Sequence, residues 1–392
     1  MNKAILNPEV QRFIQVNLQE DLTKLILKGS PFKEVTVQEI ATQISGLKRA
    51  EKKLPLWFKT KAIIFPLNLN LEQTSSEITA NYKKNLLDGE VLVDLTGGFG
   101  IDDLYFSKKF KKVIHCELNE ELFSVATHNF KVLGAYNIET YTGDGLIYLQ
   151  TTSEKIDWIY IDPARRDDHG GKVFLLDHCT PNVPLNLKLL FNRSENILIK
   201  TSPLLDLSLG IGELRKVVEV HIVAVNNEVK ELLWILNRNI TNEVQIRTVN
   251  ITKKGTEVLN GIFGEDQASN NYNLPQMYLY EPNAAIMKSG LFGTLGKETN
   301  TFKLHVNSHL YTSEQLKSFP GRSFEILQTL PYHKKTLKKA LKLKKANITT
   351  RNFPRSVSEI RKELKLEDGG LDFLFFTTDL NDNKIVLICK KV

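Results

Sequence analysis

The stretch Val91–Gly100, reading VLVDLTGGFG, constrains the fold more than any other part of the chain. Val91, Leu92 and Val93 form a continuous apolar run rich in β-branched residues, the pattern of a short strand buried on both faces of a parallel sheet. Asp94 ends that run. Gly97, Gly98 and Gly100 then permit a tight turn and close approach of backbone to a ligand, and a helix is expected from near Ile101 through Leu104 and Phe106. A strand, an acid, a glycine turn and a helix in this order make a nucleotide-type loop.

The same arrangement can hold a dinucleotide or S-adenosylmethionine. A dinucleotide needs three glycines so that its pyrophosphate rests on the helix N-terminus, and here Asp103 stands where the third would be. Asp94 would repel a pyrophosphate but suits a sulfonium ligand that carries an ammonium group, so S-adenosylmethionine is the expected cofactor. A second strand, Val113 to Cys116, leads into Glu117, 23 residues after Asp94 and placed to accept ribose hydroxyls, a signal shared with NAD enzymes. Asp144 and Gly145 follow a third strand, where a carboxylate can accept from the adenine amine. The fourth strand, Trp158 to Ile161, delivers Asp162, Pro163, Ala164, Arg165 and Arg166 to the carboxyl edge, where open α/β sheets bind ligands. The expected cofactor contacts in the sheet are therefore Asp94, Thr96, Gly97, Gly98, Gly100, Glu117, Leu118, Asp144, Gly145 and Asp162.

This order of acids resembles the class I S-adenosylmethionine-dependent methyltransferases over roughly the middle half of the chain. The whole chain is similar to a bacterial family of such enzymes with a C-terminal THUMP-like domain. The resemblance is carried by EQTSSEITANYK (Glu72 to Lys83), DLTGGFGID (Asp94 to Asp102), IDPARRD (Ile161 to Asp167), YEPNAAIMKSG (Tyr280 to Gly290) and RNFPRSVSEIRKELKLEDGG (Arg351 to Gly370). It implies an α/β fold: a Rossmann-like seven-stranded sheet with an N-terminal helical region and small α+β C-terminal modules. The expected divisions are a helical region at 1–72, a methyltransferase domain at 73–270, a small ferredoxin-like module at 276–320 and a THUMP-like RNA-binding domain at 321–392.

At 392 residues the chain exceeds one compact domain, and its 42% hydrophobic content is enough for a core. The N-terminus lacks a signal peptide's apolar centre, and no stretch approaches the ~20 apolar residues of a membrane span. Three scattered cysteines form neither a zinc pattern nor a disulfide framework, which points to a cytoplasmic protein. The net charge of +7 favours a polyanionic partner.

Before the glycine strand, Pro8 to Ile26 reads as one helical stripe, and a second helix is expected from Thr36 to Gly46 with Gly46 as its stop. The basic run Lys48 to Lys53 with Trp57 reads as a solvated loop anchored by a buried tryptophan. Thr74 and Glu77 are expected to form a capping box for a helix that ends at Gly89, and Ser76 and Thr79 are candidates for the cofactor carboxylate, since a helix there often closes over the methionine end of the cofactor in the enzymes this chain resembles. After the fourth strand come a fifth at Ile197 to Lys200 and a sixth at Val217 to Asn226. Leu232 to Asn237 with Gln245 to Val249 is expected to form the antiparallel pair that finishes the sheet.

In the last unit, HKKTLKKALKLKKAN is expected to form one basic helix whose lysines, Lys334, Lys335, Lys338, Lys339 and Lys342 among them, face RNA phosphates, with Arg351 continuing the patch. The helix lacks the aromatic anchors of a membrane-surface segment. A hairpin is expected across Asp382 and Asn383.

At the edge of the sheet the catalytic candidates are Asp162, Pro163 and Arg165. Methyl transfer to an exocyclic amine demands orientation more than acid–base help, and a carboxylate and the following carbonyl can each accept one N–H. Ala164 and Arg165 stand where related enzymes place a second proline and an aromatic. Arg165 can stack on a base, pair with guanine or grip a phosphate, and Arg166 is the phosphate candidate. The expected reaction is methylation of guanine N2 or adenine N6 in rRNA or tRNA, with the family resemblance leaning to guanine N2. Small-molecule or protein methylation and a non-catalytic RNA-binding role are the alternatives. Asp167, Asp168 and His169 do not make a metal site by spacing, so no metal is expected.

Overall fold

The computed structural model describes residues 1–165, 175–239, 243–265, 271–341 and 343–392. By packing, the chain divides into two compact units, Met1–Val217 with Trp234–Ile240 and Val218–Leu233 with Thr241–Val392.

The first unit begins with helices at Pro8–Val16, Leu22–Lys28, Val37–Lys53 and Pro55–Lys59. The single stripe expected over Pro8 to Ile26 is broken because Asp21 starts a new helix, its carboxylate accepting from Thr23 N at 2.7 Å. Nor does the next helix stop at Gly46: it is capped by a Thr36–Glu39 box and runs on to Lys53. Gly46 serves packing instead, since a Cβ there would lie 2.4 Å from Cβ of Phe65. The segment leaving these helices is strapped down on both sides. Gln43 exchanges two hydrogen bonds with the Phe65 backbone, both 2.9 Å, and Asn129 of the helix Glu120–Val132 exchanges two with the Ile64 backbone, at 3.0 and 2.8 Å. Trp57 is fully buried, as expected, but the basic run Lys48 to Lys53 is not a loop: it forms the last turns of the helix Val37–Lys53, and Lys53 Nζ donates to the carbonyls of Leu71 and Glu72.

The helix before the glycine strand spans Glu77–Lys84, and its capping box is Ser76 with Thr79 rather than Thr74 with Glu77. Glu77 is drawn away: it accepts from Leu56 N at 2.5 Å and from Tyr105 OH at 3.0 Å. Strands then follow at β1 (Val91–Asp94), β2 (Lys112–Glu117), β3 (Ile138–Thr142), β4 (Trp158–Ile161), β5 (Asn196–Thr201), β6 (Val217–Val225), β7 (Glu228–Asn237), β8 (Gln245–Thr252) and β9 (Gly255–Ile262). They form a nine-stranded sheet of order β9-β8-β6-β7-β5-β4-β1-β2-β3. β1 lies parallel between β2 and β4, with Asp94 opposite His115 and Tyr160, so the acids at the ends of these strands gather at one edge.

The pairing expected for β7 and β8 does not occur. Asn226 and Asn227, with φ of 50° and 66°, make the two-residue turn that folds β7 back on β6. β8 instead runs parallel to β6 and antiparallel to β9, a strand that the sequence pattern did not announce.

The second sheet of the second unit comprises β10 (Tyr278–Pro282), β11 (Phe302–Lys303), β12 (Tyr311–Ser313), β13 (Gly321–Pro331), β14 (Asn347–Thr350), β15 (Asp372–Thr378) and β16 (Lys384–Lys391), in the order β11-β12-β10-β13-β16-β15-β14. Alternation along β15 sends Phe375 to one core with Leu279 and Phe324, and Leu374 and Phe376 to another with Leu337 and Ile360. The β15–β16 hairpin forms as expected, with Asp382 in the left-handed region at φ 62°. The long lysine helix does not form: it covers only Lys334–Ala340. Leu337 is buried, and chain beyond it must turn extended to bury Ala346 and enter β14, so Lys344 and Lys345 fall outside the helix.

Candidate active site at the carboxyl edge of the sheet

The glycine loop is fitted to its neighbours at each position. Asp94 Oδ1 accepts from Thr96 N at 2.7 Å and from the Thr96 hydroxyl at 3.1 Å, and that hydroxyl in turn accepts from Asp162 N at 2.7 Å. Thr96 thus ties the end of β1 to the end of β4. Gly97 is required because the His115 ring occupies the space of a side chain: a Cβ would lie 2.2 Å from it. Gly100 adopts φ 79°, and its Cβ would meet the Phe130 ring at 2.3 Å. Phe99 is buried against Phe65 and Trp57, at centroid distances of 6.1 and 6.4 Å.

Glu117 holds the loop from the next strand, accepting from Gly98 N at 2.8 Å and from Asn119 N at 2.6 Å. Asp144 is exposed and caps the helix Gly145–Thr151 through Leu146 N at 2.8 Å. A Cβ at Gly145 would lie 2.8 Å from the Leu95 backbone. Leu118, beside Glu117, is 70% exposed, an apolar surface at the sheet edge. The Ser76 and Thr79 hydroxyls are engaged in capping their own helix, and Thr79 is buried.

Under the loop lies a set of charges that sequence reasoning missed. Asp103 is fully buried, and its Oδ2 is 2.5 Å from Nδ1 of the equally buried His115. Burial, reinforced by Asp102, pushes the Asp103 carboxyl well above the usual range, while burial pushes His115 down, so both groups are driven toward their neutral forms. Asp94 is also driven well up, by burial first and then by Asp103. Asp102 goes the other way. Burial opposes its charge, but Lys83 and then Lys200 outweigh it and hold the carboxyl below its ordinary value. Lys83, with no exposure, lies 3.2 Å from Asp102 Oδ1 and donates to Ser75 at 3.0 Å, while the Ser75 and Tyr160 hydroxyls each donate to Asp102 Oδ2 at 2.8 Å. Asp162 is half-buried, and its carboxylate pairs with Nζ of Lys200, the penultimate residue of β5. The available signals were an acidic pair following the glycines and a lysine ending an otherwise apolar strand.

Pro163 is buried behind Asp162, and Ala164–Arg165 forms a short antiparallel ribbon with Cys179–Thr180. The Arg165 side chain and Arg166, Asp167, Asp168 and His169 lie outside the described residues, as do the Lys338 and Lys339 side chains and Lys342. Lys334 and Lys335 are exposed on their helix, and Lys334 Nζ is 4.0 Å from Glu363. Arg351 is not a free cation: it donates to Glu281 Oε1 at 2.9 Å, and Arg322 Nε donates to Oε2 of the same carboxylate at 2.7 Å. Among the described residues no group of three His, Cys, Asp or Glu side chains is placed to hold a metal, and no helix is long and apolar enough to cross a membrane.

The strand order 3-2-1-4-5-7-6, with a glycine loop after β1 and acids at the ends of β1, β2 and β4, defines a class I methyltransferase fold. Residues 278–320 match a ferredoxin-like domain family and residues 321–391 match a THUMP domain-like family. Over its full length the chain is similar to the crystal structure of a "putative methyltransferase" from Porphyromonas gingivalis W83, at 33% identity and a TM-score of 0.90, covering 99% of that chain. It therefore belongs to the same family, the class I methyltransferases with a C-terminal THUMP-like domain. It is also 28% identical over 151 residues to an uncharacterized RNA methyltransferase of Mycoplasma mobile, matching 37% of this chain and 41% of that protein. The match thus spans about two-fifths of the length of that curated relative.

Proposed function

We propose that the protein transfers the methyl group of S-adenosylmethionine to an exocyclic amine, guanine N2 or adenine N6, of rRNA or tRNA. The observation that carries this reading is the convergence of Asp94, Glu117 and Asp162 at one sheet edge, each hydrogen-bonded to the glycine loop. Asp94 would face the cationic methionine end, Glu117 the ribose hydroxyls and Asp144 the adenine amine. Ser76 and Thr79 would present the start of their helix to the cofactor carboxylate. Thr96, Gly97, Gly98, Gly100 and Gly145 shape the cradle, with Leu118 as an apolar side for the adenine.

S-adenosylmethionine supplies an electrophilic methyl group on sulfur. The chain's own part is orientation: the Asp162 carboxylate and the Pro163 carbonyl each accept one N–H, which aims the nitrogen lone pair at the methyl. Covalent attack on a pyrimidine carbon is not supported, because all three cysteines are buried and burial pushes the Cys116 and Cys389 thiols up, against thiolate formation. The domain divisions at 1–72, 73–270, 276–320 and 321–392 belong to this reading, with the last segment gripping RNA through Lys334, Lys335 and their neighbours.

Incubating the purified protein with radiolabelled S-adenosylmethionine and total RNA from a strain lacking the gene, followed by nucleoside analysis, tests the assignment. Labelled N2-methylguanosine or N6-methyladenosine is expected. Cofactor binding without label in any RNA would redirect the reading to a small-molecule or protein acceptor.

A further inference from the structure

We propose that Lys200 is the positioning residue for the target amine, acting through Asp162, an inference that rests on the reading above. Asp162 is anchored twice. Its backbone N–H donates to Thr96 Oγ1 at 2.7 Å, which fixes the residue to the cofactor loop, and its carboxylate Oδ2 pairs with Lys200 Nζ. The two residues meet because β4 and β5 are parallel with Ile161 opposite Ile199, so the next residue of each strand emerges at the same edge.

Burial is unequal across the pair. The Lys200 side chain is 11% exposed and that of Asp162 33%, so the ammonium lies inside and the carboxylate opens outward. Oδ2 is taken by the lysine, and among the described residues Oδ1 is the oxygen left to accept an N–H from substrate. A partly exposed aspartate otherwise samples several rotamers, and freezing it at the moment of reaction costs rate. Lys200 removes that freedom beforehand. Its field is also felt at Asp102, the buried acid that Lys83 pairs with at 3.2 Å. A lysine ending an apolar strand, at the point where the sheet meets substrate, is thereby given a task in the reaction.

The test is a double-mutant cycle on the full chain with Lys200→Met and Asp162→Asn, read by single-turnover methyl transfer to RNA and by calorimetric cofactor binding. Lys200→Met is expected to lower the transfer rate by about 10- to 100-fold. Cofactor Kd and RNA Kd should stay within about twofold, and adding Lys200→Met to Asp162→Asn should cost little more. Lys200→Arg, which retains the charge, should recover part of the rate. Strictly multiplicative losses, or a loss confined to cofactor affinity, would overturn the assignment. Should Lys200→Met fail to melt cooperatively, Lys200→Arg and the Asp162→Asn single variant decide it: an arginine variant no faster than Asp162→Asn counts against positioning. Wild-type protein that labels no RNA overturns the amine reading itself, whereas wild-type transfer that Lys200→Met leaves unchanged overturns only the role of Lys200.

Discussion

The glycine-loop end of the first unit and the lysine-rich segment of the second handle charge in opposite ways. Under the loop, Asp94, Asp102, Asp103, Lys83, His115 and Lys200 are all nine-tenths buried or more, and Asp102 alone takes contacts from Lys83, Ser75 and Tyr160. Around residue 334 the described side chains of Lys334 and Lys335 are exposed, and Lys334 meets Glu363 only at the limit of contact, 4.0 Å. A buried charge must be matched or neutralised, so its geometry is specific and its removal is costly. An exposed charge is screened, contributes little to folding and is free to meet a mobile polyanion. The difference separates a region whose charges hold one geometry from one whose charges are left to solvent.

The sharpest break of this contrast is at Asp162, where the buried set meets solvent. Asp162→Ala should lower methyl transfer by at least about 100-fold in a single-turnover assay while calorimetric S-adenosylmethionine affinity stays nearly intact. Retained activity would remove Asp162 from the reaction.

Next in size is the buried pair. Lys83→Met leaves Asp102 as an uncompensated buried charge and should cost about 3–5 kcal/mol of stability in urea unfolding. Adding Asp102→Asn should restore part of that loss, because the isostere keeps its hydrogen bonds and carries no charge. If Lys83→Met is silent, the pair is not what holds the helix Glu77–Lys84 to the loop.

A subtler effect concerns protons. The folded-state carboxyls of Asp94 and Asp103 sit above their ordinary value of 3.8. Raised groups favour the fold fully below the unfolded pKa of about 4, and that benefit is lost as pH rises through the raised folded values. Melts at two pH values, both above the unfolded pKa, should therefore show the unfolding free energy falling as pH rises, by up to about 1.4 kcal/mol per pH unit for each proton still held by the fold. Asp103→Asn should flatten this slope in melts at the two pH values, since an amide needs no proton to remain neutral. Under the proposed function, a cationic cofactor beside Asp94 would pull its pKa down, so binding should release protons, visible as a buffer-dependent calorimetric enthalpy.

What could be read from the sequence follows the same division. The acids at the strand ends and the glycine turn were legible because strand period and turn chemistry are local. Asp103 was noticed only as a missing glycine, and its partnership with His115 was hidden, because those two residues are brought together by the packing of β2 against the preceding helix, Ile101–Phe106. Lys200 and Lys83 were missed for the same reason: each meets its acid across elements far apart in sequence. The errors in helix length at Gly46 and beyond Ala340 have one origin too. Local propensity set the expectation, while Phe65 in the first case and the burial of Ala346 before β14 in the second decided the outcome. Arg351 looked like a phosphate contact because its partner, Glu281, lies 70 residues away.

The smallest change in stability, and the test of the other half of the contrast, is charge reversal at the exposed helix. Lys334→Glu with Lys335→Glu should shift unfolding by no more than about 0.5 kcal/mol per site, because both side chains are solvated. RNA affinity should nevertheless fall. The dependence of log Kd on log salt should lose about 0.7 to 0.9 of slope for each phosphate contact removed, read by fluorescence anisotropy over a salt series. Unchanged affinity and slope would mean that the lysines merely face solvent, and that substrate grip lies elsewhere in the chain. A loss of stability without a change in slope would mean that this segment, like the glycine loop, uses its charge to hold the fold.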